Sequence, residues 1–418
     1  MLEITESRVI VLNQTVKIKK GISDMKKNLL FAVFLCISSI VSAQVEVSIS
    51  GKKGDDTLVL QRFTGSSEMR QQVARDLQNC GWFEVQSRGV ANFIVTGNSS
   101  GNMLELTLFS DGAGAKITSV RASGATPAEA SHRAVDALLR YIYKVDGICS
   151  SKIAFTAEIS PLQKEIYICD YDGTNFKRVT YNRGLSLDPV WAPDGKTLVY
   201  SYIGKVYTVL MQHDIRSGKA RQIARFRGLN AGGAISPDGS HVALVLSKDN
   251  QVDLYVRPLN GGTLRRLTRD KAVEASPCWS PDGTKICYVS DSGTGRPRLY
   301  IIPVNGGRAT RVPGSFASES VSPSWSKDGK ITYTGRAGNF SVFVADPDGA
   351  AAKLPRQKVG QIINSGGDWE SPSWAPDNRH IVCSHRGGLY IVDTWTGKNR
   401  QIVGGKSKCT LPDWSPLQ

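Results

Sequence analysis

The chain has 418 residues, 40% of them hydrophobic and 21% charged, with 41 glycines and 18 prolines. It is long enough to bury more than one sizeable core and too apolar to be a disordered tail, and its glycine and proline content signals many turns and hence β-structure. Of the net charge of +15, residues 1–43 carry +3, residues 44–150 none and residues 151–418 +12, so attraction to acidic partners belongs to the C-terminal two-thirds.

At the amino terminus, Leu2–Asp24 is polar; Met25-Lys26-Lys27 then opens a basic stretch, Leu29–Ile40 is apolar, and Val41-Ser42-Ala43 supplies small residues before Gln44. That order is a secretory signal peptide spanning 25–43, cleaved near Ala43–Gln44, with residues 1–24 an upstream extension and translation starting at Met25. The apolar run is shorter than the roughly 20 residues that cross a bilayer. The expectation is a Sec-exported protein, which rules out nucleic acid as a partner.

Residues 44–150 read as a small α+β domain. Val45, Val47 and Ile49 alternate with Glu46 and Ser48 as a short strand at the mature N-terminus. Glu68–Cys80 is a helix with Val73 and Leu77 on one face, stopped at Gly81. Strands follow at Phe93–Thr96, Leu104–Phe109 and Lys116–Arg121. Thr126, Pro127 and Glu129 then start a second helix as cap, first-turn proline and capping-box partner. Its buried stripe is Val135, Leu138, Leu139 and Ile142, and Asp146–Ser151 is a short linker.

Residues 151–418 are organised by a repeat. Asp188-Pro-Val-Trp-Ala-Pro-Asp-Gly195 returns at Ser276–Gly283, Ser322–Gly329 and Ser371–Asn378, with a degenerate copy at Gly232–Gly239 and a truncated one at Leu411–Pro416. The anchors Trp191, Ile235, Trp279, Trp325, Trp374 and Trp414 are 44, 44, 46, 49 and 40 residues apart. Each of the first five is followed by a Pro-Asp-Gly-type turn, an apolar strand such as Ile286–Val289, an aromatic-bearing strand such as Lys205–Thr208 or Arg298–Ile301, and a fourth strand after a glycine turn. Four strands per period of roughly 40 to 45 residues predict a β-propeller. Lys152–Thr156 lacks an anchor strand ahead of it and Trp414 lacks strands behind it. The C-terminal strand is therefore expected to complete the first blade, closing a six-bladed ring with no exposed sheet edge.

Few residues suggest catalysis. Gly97-Asn-Ser-Ser-Gly101 fits a nucleophile-elbow pattern but lies between two strands, so it reads as a hairpin turn. Asp55-Asp56 reads as a solvated acidic turn, and the Pro-Asp-Gly aspartates serve their turns. No C-x-x-C pair and only one close histidine pair occur, giving zinc little support. Cys169, Cys287 and Cys383 sit in apolar strand patterns as small hydrophobes.

A binding surface remains. The residues just ahead of the anchors mark one mouth of the propeller channel: Leu187 and Asp188, Asn230 and Ala231, Glu274 and Ala275, Glu319 and Ser320, Trp369 and Glu370. Asp188, Glu274, Glu319 and Glu370 are either a ring of acceptors for a partner's basic or amide groups or solvated loop carboxylates. Glu274, Glu319 and Glu370 could also hold a channel cation such as Ca2+. Trp369, off the anchor grid, is an exposed aromatic of the kind that anchors interfaces.

The signal peptide, the His132-Arg-Ala-Val-Asp136 helix running through Gly147 into Lys152-Ile-Ala-Phe155, the Asp170-Tyr-Asp-Gly173 turn, the Trp-Ser-Pro-Asp-Gly repeats and the Trp414-Ser-Pro416 ending together resemble the TolB family, periplasmic β-propeller proteins of the Tol-Pal envelope system. The resemblance implies a non-catalytic, monomeric adaptor, peripheral to membranes through its partners. Its propeller mouth would bind the peptidoglycan-associated lipoprotein Pal. Its N-terminal segment, Gln44–Gly51, would contact the inner-membrane protein TolA, in support of outer-membrane integrity and cell division. The second anchor, Ile235, departs from the family's aromatic. The alternative class is an exported propeller enzyme, or a glycan- or peptide-binding module, that uses the channel carboxylates.

Overall fold

A computed structural model of the chain describes residues 56–110, 114–348, 359–363, 367–404 and 408–417. The upstream extension, the signal peptide with its cleavage site, and the strand expected at Val45, Glu46, Val47, Ser48 and Ile49 lie outside the described residues.

The N-terminal unit runs β1 (Asp56–Thr64), α1 (Ser67–Asn79), β2 (Phe83–Gln86), β3 (Phe93–Ser100), β4 (Met103–Ser110), β5 (Lys116–Ser123) and α2 (Pro127–Tyr143), in a sheet of order β2-β1-β3-β4-β5. β1 pairs in parallel with β2 and β3; parallel neighbours need a crossover, and α1 supplies the one between β1 and β2. Both helices start on the residues their sequences dictate. Ser66 Oγ accepts from the Met69 N–H at 3.3 Å and Thr126 Oγ1 from the Glu129 N–H at 3.2 Å, while Glu129 reaches back to the Ala125 N–H at 2.7 Å. Leu104, Leu106 and Leu108 alternate along β4 and pack with Val73 and Leu77 of α1 and Val135 and Leu138 of α2.

Four details of this unit differ from the sequence reading. β1 and β2 were not anticipated, and Asp56, expected in a solvated turn, is buried at the start of β1 and accepts from the Tyr143 hydroxyl at 2.7 Å. Gly97–Ser100 belong to β3, and the turn is confined to Gly101 and Asn102 between paired Ser100 and Met103. Gly97 is needed there because a Cβ would lie 2.3 Å from the Phe63 ring. The expected linker is a joint: Ile148 and Cys149 are buried in a core that continues into the repeat region through Tyr171, Val382 and Trp414.

In the repeat region the described strands form six sets. Leu185–Trp191, Thr197–Ile203, Thr208–Asp214 and Ala220–Ala224 are the first complete one, and four more begin at Asn230, Glu274, Ser320 and Trp369. The remaining set joins the two ends of the region: Cys409–Trp414 pairs antiparallel with Lys152–Ser160, which pairs with Gln163–Asp170 and through it with Lys177–Arg178. Each anchor strand packs against the anchor strand of the next set, and Cys409–Trp414 packs against Leu185–Trp191. The anchor tryptophans cement neighbours together. Trp279, for example, is buried among Ala234, Val256 and Ile286, and its indole N–H donates to the Ala234 carbonyl at 2.9 Å, satisfying the ring's one polar group.

The turn aspartates act as expected. Asp282 accepts from Ser280 Oγ at 2.6 Å, from the Thr284 N–H at 3.1 Å and from Thr284 Oγ1 at 2.8 Å, bonds that hold its carboxyl down at about 2. Two departures from the repeat compensate each other: Lys327 stands where other copies have proline, and its freed N–H donates at 3.1 Å to Asn378, which stands where others have glycine. One aromatic expectation fails. The third strand of the first set starts at Thr208, leaving Tyr207 in the preceding hairpin loop.

Candidate functional site

The site is positioned by a bulge that recurs in every anchor strand. Two residues oppose one on the neighbouring strand at Asp188-Pro189, Gly232-Gly233, Ser276-Pro277, Ser322-Pro323, Ser371-Pro372 and Leu411-Pro412. The first residue of each pair is left-handed, with φ of 56°, 63°, 47°, 50°, 52° and 51°. A left-handed non-glycine residue costs about 1–2 kcal/mol, and bulges of this kind re-aim side chains beside functional sites. Here they line a central cavity of about 900 Å³ walled by the prolines, serines and anchor tryptophans of the repeat, with Cys278, Asp188 and Asp413 among them. Arg140 and Asp146 of the N-terminal unit border one end, where Asp146 pairs with Arg140 and with Lys327, both at 3.1 Å.

The bulge changes the phase of the expected carboxylate ring. Asp188 lies within the cavity, and burial pushes its carboxyl up to about 6. Glu274 is 2% exposed; burial, reinforced by nearby Asp270, pushes it up to about 8, and Oε1 accepts from Ser290 Oγ at 3.2 Å. Glu319 bonds Arg336 at 3.2 Å, and Glu370 is exposed. The four acids therefore occupy four different environments, and Glu274, Glu319 and Glu370 do not converge to ligand distance. Among the described residues the one group of three potential metal ligands is Asp76, His132 and Asp172, elsewhere in the molecule.

The other mouth positions are also more buried than expected. Asn230 is fully buried and braces its own loop, accepting from the Phe226 N–H at 2.7 Å and donating to the Phe226 carbonyl at 2.8 Å. Ala275 is half-buried against the neighbouring set, and Ser320 is fully buried. Trp369 is 5% exposed, stacked on His385 at 4.1 Å with Tyr390 at its edge, so it is a core residue. Local spacing placed these residues near the mouth but could not show which way a bulged strand turns them.

Asp413 was missed. It approaches Asp188 in the cavity and accepts from the Trp191 N–H and Ser373 Oγ, both at 2.7 Å; burial outweighs these bonds and lifts its carboxyl to about 6. The truncated last repeat hid it.

The exposed chemistry of the strand-start face is aromatic, aliphatic and basic. Val206, Leu162, Phe316, Tyr181 and Tyr207 project from loops that precede anchor strands or join second to third strands. Arg225 covers the Tyr207 ring at 4.5 Å and Arg178 the Tyr181 ring at 4.3 Å. Arg183, Lys205, Arg227, Lys271 and Arg386 are exposed on the same loops.

Glu274 provides a pH-dependent check on this placement. A carboxyl at about 8 in the folded chain and 4.5 as its ordinary value binds more proton folded than unfolded between those values, so stability falls as pH rises from 4.5 to 8. Glu274→Gln removes that loss. At pH 8 the variant is expected to be more stable than the parent by about 1–3 kcal/mol, with no gain at pH 4.5, in urea titrations.

The comparisons agree with this architecture. The family model described as PD40, TolB beta propeller domain, matches residues 141–418. The Tol-Pal system protein TolB of Haemophilus ducreyi is 26% identical over 238 residues, covering 49% of this chain and 56% of that protein. Its counterpart from Actinobacillus pleuropneumoniae is 30% identical over 102 residues, 24% of each chain. The chain thus spans between about a quarter and a little over half of the length of these curated relatives. The crystal structure of TolB from Acinetobacter baumannii superposes with a TM-score of 0.76 at 22% identity, over 88% of this chain and 97% of that one, a likeness of fold. A family model that spans well over half of the chain and a matching propeller with its N-terminal domain make the conclusion plain: the chain belongs to the TolB β-propeller family.

Proposed function

We propose that the protein is a non-catalytic periplasmic adaptor of a Tol-Pal-type envelope system. The propeller closes as six blades, with Cys409–Trp414 completing the blade begun at Lys152, and its strand-start mouth docks a Pal-like lipoprotein. The N-terminal segment Val45–Ile49 adds as a strand to a TolA-like inner-membrane protein, and the assembly supports outer-membrane integrity and cell division. The chain acts as a monomer after export and cleavage near Ala43–Gln44.

The observation that carries the reading is the set of exposed aromatic, aliphatic and arginine side chains on the strand-start loops. Large apolar groups exposed on one face, rimmed by guanidinium groups, are the composition of interface hot spots. Their charge favours an acidic partner surface in place of the basic one a carboxylate ring would have matched. A channel cation such as calcium would meet Asp188 and Asp413 instead of Glu274, Glu319 and Glu370. An enzyme or glycan-binding module would have to work through the same pair, yet Asp413 already has both oxygens engaged by Trp191 and Ser373.

The test is capture of the lipoprotein from solubilised envelope by the full chain. Tyr207→Asp combined with Phe316→Asp is expected to weaken capture at least tenfold with an unchanged circular dichroism spectrum, because both rings are exposed and support no core. Undiminished capture by that variant would remove the mouth from the interface, and no capture by the parent chain would remove the adaptor reading.

A further inference from the structure

We propose that Cys278 and Cys287 are a disulfide-forming site in the wall of the channel, closed by thiol–disulfide exchange with a disulfide-bearing oxidant in an oxidising compartment. The repeat itself points to the pair. At one slot in every set, a residue of the anchor strand lies directly across from one of the second strand: Val190 from Val199, Ala234 from Ala243, Ser324 from Thr332, Ser373 from Val382 and Asp413 from Ala154. In the set beginning at Glu274 the two residues are Cys278 and Cys287.

Residues paired across an antiparallel ladder point to the same face with Cα atoms roughly 4.5–5.5 Å apart, inside the span of roughly 4.4–6.8 Å that a disulfide bridges. Among the described residues on strands, the other cysteines face Ile153, Tyr390 and Ala157 across their ladders.

The two thiols differ in access, which sets the order of events. Cys278 is half-buried and lines the cavity, whereas Cys287 is fully buried between two sets. The Cys278 thiolate attacks one sulfur of the oxidant RS–SR, forming a mixed disulfide and expelling RS⁻, which takes up a proton. Cys287 then loses its proton to water and attacks the Cys278 sulfur, breaking the mixed disulfide and releasing the second thiol. Two cysteine thiols give up two electrons and two protons in total, and the oxidant leaves as two RSH. Burial holds the Cys287 thiol well above its ordinary range, so the second step is the slow one.

The full chain, purified reduced and folded, is incubated with oxidised glutathione, blocked with iodoacetamide in denaturant and digested with trypsin without reduction. Lys285 lies between the two cysteines, so a bridge appears as the linked peptides Ala272–Lys285 and Ile286–Arg298, and vanishes on reduction. That linked pair is the expected product, and Cys278→Ser and Cys287→Ser should each abolish it. Serine already fills the Cys278 slot in two other sets, at Ser324 and Ser373, so Cys278→Ser is expected to fold. Recovery of both peptides separately, each alkylated or carrying glutathione, would overturn the proposal, as would a bridge from Cys287 to any other cysteine.

Discussion

Deleting Leu411–Gln418 is expected to abolish the cooperative melting transition of the repeat region, although the segment is eight residues at the very end of the chain. Those residues hold three sets at once. Asp413 and Trp414 pair with Ala154 and Ile153 of the strand that opens the region. Asp413 also accepts from Trp191 in one neighbouring set and from Ser373 in the other, and the Trp414 N–H donates to Ser373 Oγ at 3.0 Å. The Trp414 indole, 4% exposed, donates to Ser151 Oγ at 2.6 Å, and Ser415 exchanges two bonds of 2.8 Å with Lys152. Removing the strand uncovers the edge of Lys152–Ser160 and the flank of the Trp191 cluster together. Losing a buried tryptophan alone costs about 3–5 kcal/mol, against a typical total stability of about 5–15 kcal/mol. Calorimetry of the truncated chain should show no transition or one far below the parent's. Trp414→Ala is the graded version, with a fall in stability of about 3–5 kcal/mol in urea titration. An undiminished transition in the truncated chain would show that the pairing of Cys409–Trp414 with Lys152–Ser160 contributes nothing.

How much of this was legible in the sequence follows from the range of the interactions concerned. The repeat, the helix caps and the Pro-Asp-Gly turns are local patterns, and Thr126 and Glu129 or Ser280, Asp282 and Thr284 bond within a few residues of one another, as their spacing implies. The mouth is different. Whether Glu274 meets solvent or Trp369 meets His385 depends on a left-handed residue two positions on, and a dipeptide such as Ser-Pro does not announce positive φ; serine and leucine rarely adopt it. The exposed set of Tyr181, Tyr207 and Phe316 was hidden for the opposite reason: aromatics beside strands read as core, and their exposure is decided by where a loop begins. The charge assignment survived only in part. The +12 of residues 151–418 includes the arginines and lysines exposed around the mouth that had been expected to be acidic.

The joint between the two units carries the other large effect, and its residues sat unassigned in the motif His132-Arg-Ala-Val-Asp136. Asp76 of α1, fully buried, accepts from His132 Nδ1 of α2 at 2.8 Å, from Gln72 Nε2 at 2.8 Å and, across the joint, from the Tyr171 hydroxyl at 2.8 Å. Asp172, next to Tyr171, is 3.3 Å from Gln72 Nε2, and Asp136 accepts the Cys149 and Ser150 N–H groups at 3.0 and 2.7 Å. A polar histidine and aspartate one turn apart on an otherwise apolar helix face was the available signal. Asp76→Ala leaves a buried imidazole and a phenol without their acceptor and the Gln72 amide with only Asp172, and breaking a buried pair in this way costs about 3–5 kcal/mol. Burial opposes a charge on His132, but the Asp76 bond and the negative charges of Asp76 and Asp172 outweigh it and raise its pKa above 6.5. A raised folded-state pKa means that this contribution is fully present below about pH 6.5 and is lost as pH rises through the higher folded value. Stability measured by urea titration from pH 5.5 to 9 should therefore fall more steeply with pH in the parent chain than in His132→Gln, which keeps a donor toward Asp76 but cannot titrate. Equal slopes would place the charge of the joint elsewhere, and an Asp76→Ala chain as stable as its parent would remove the network's structural role.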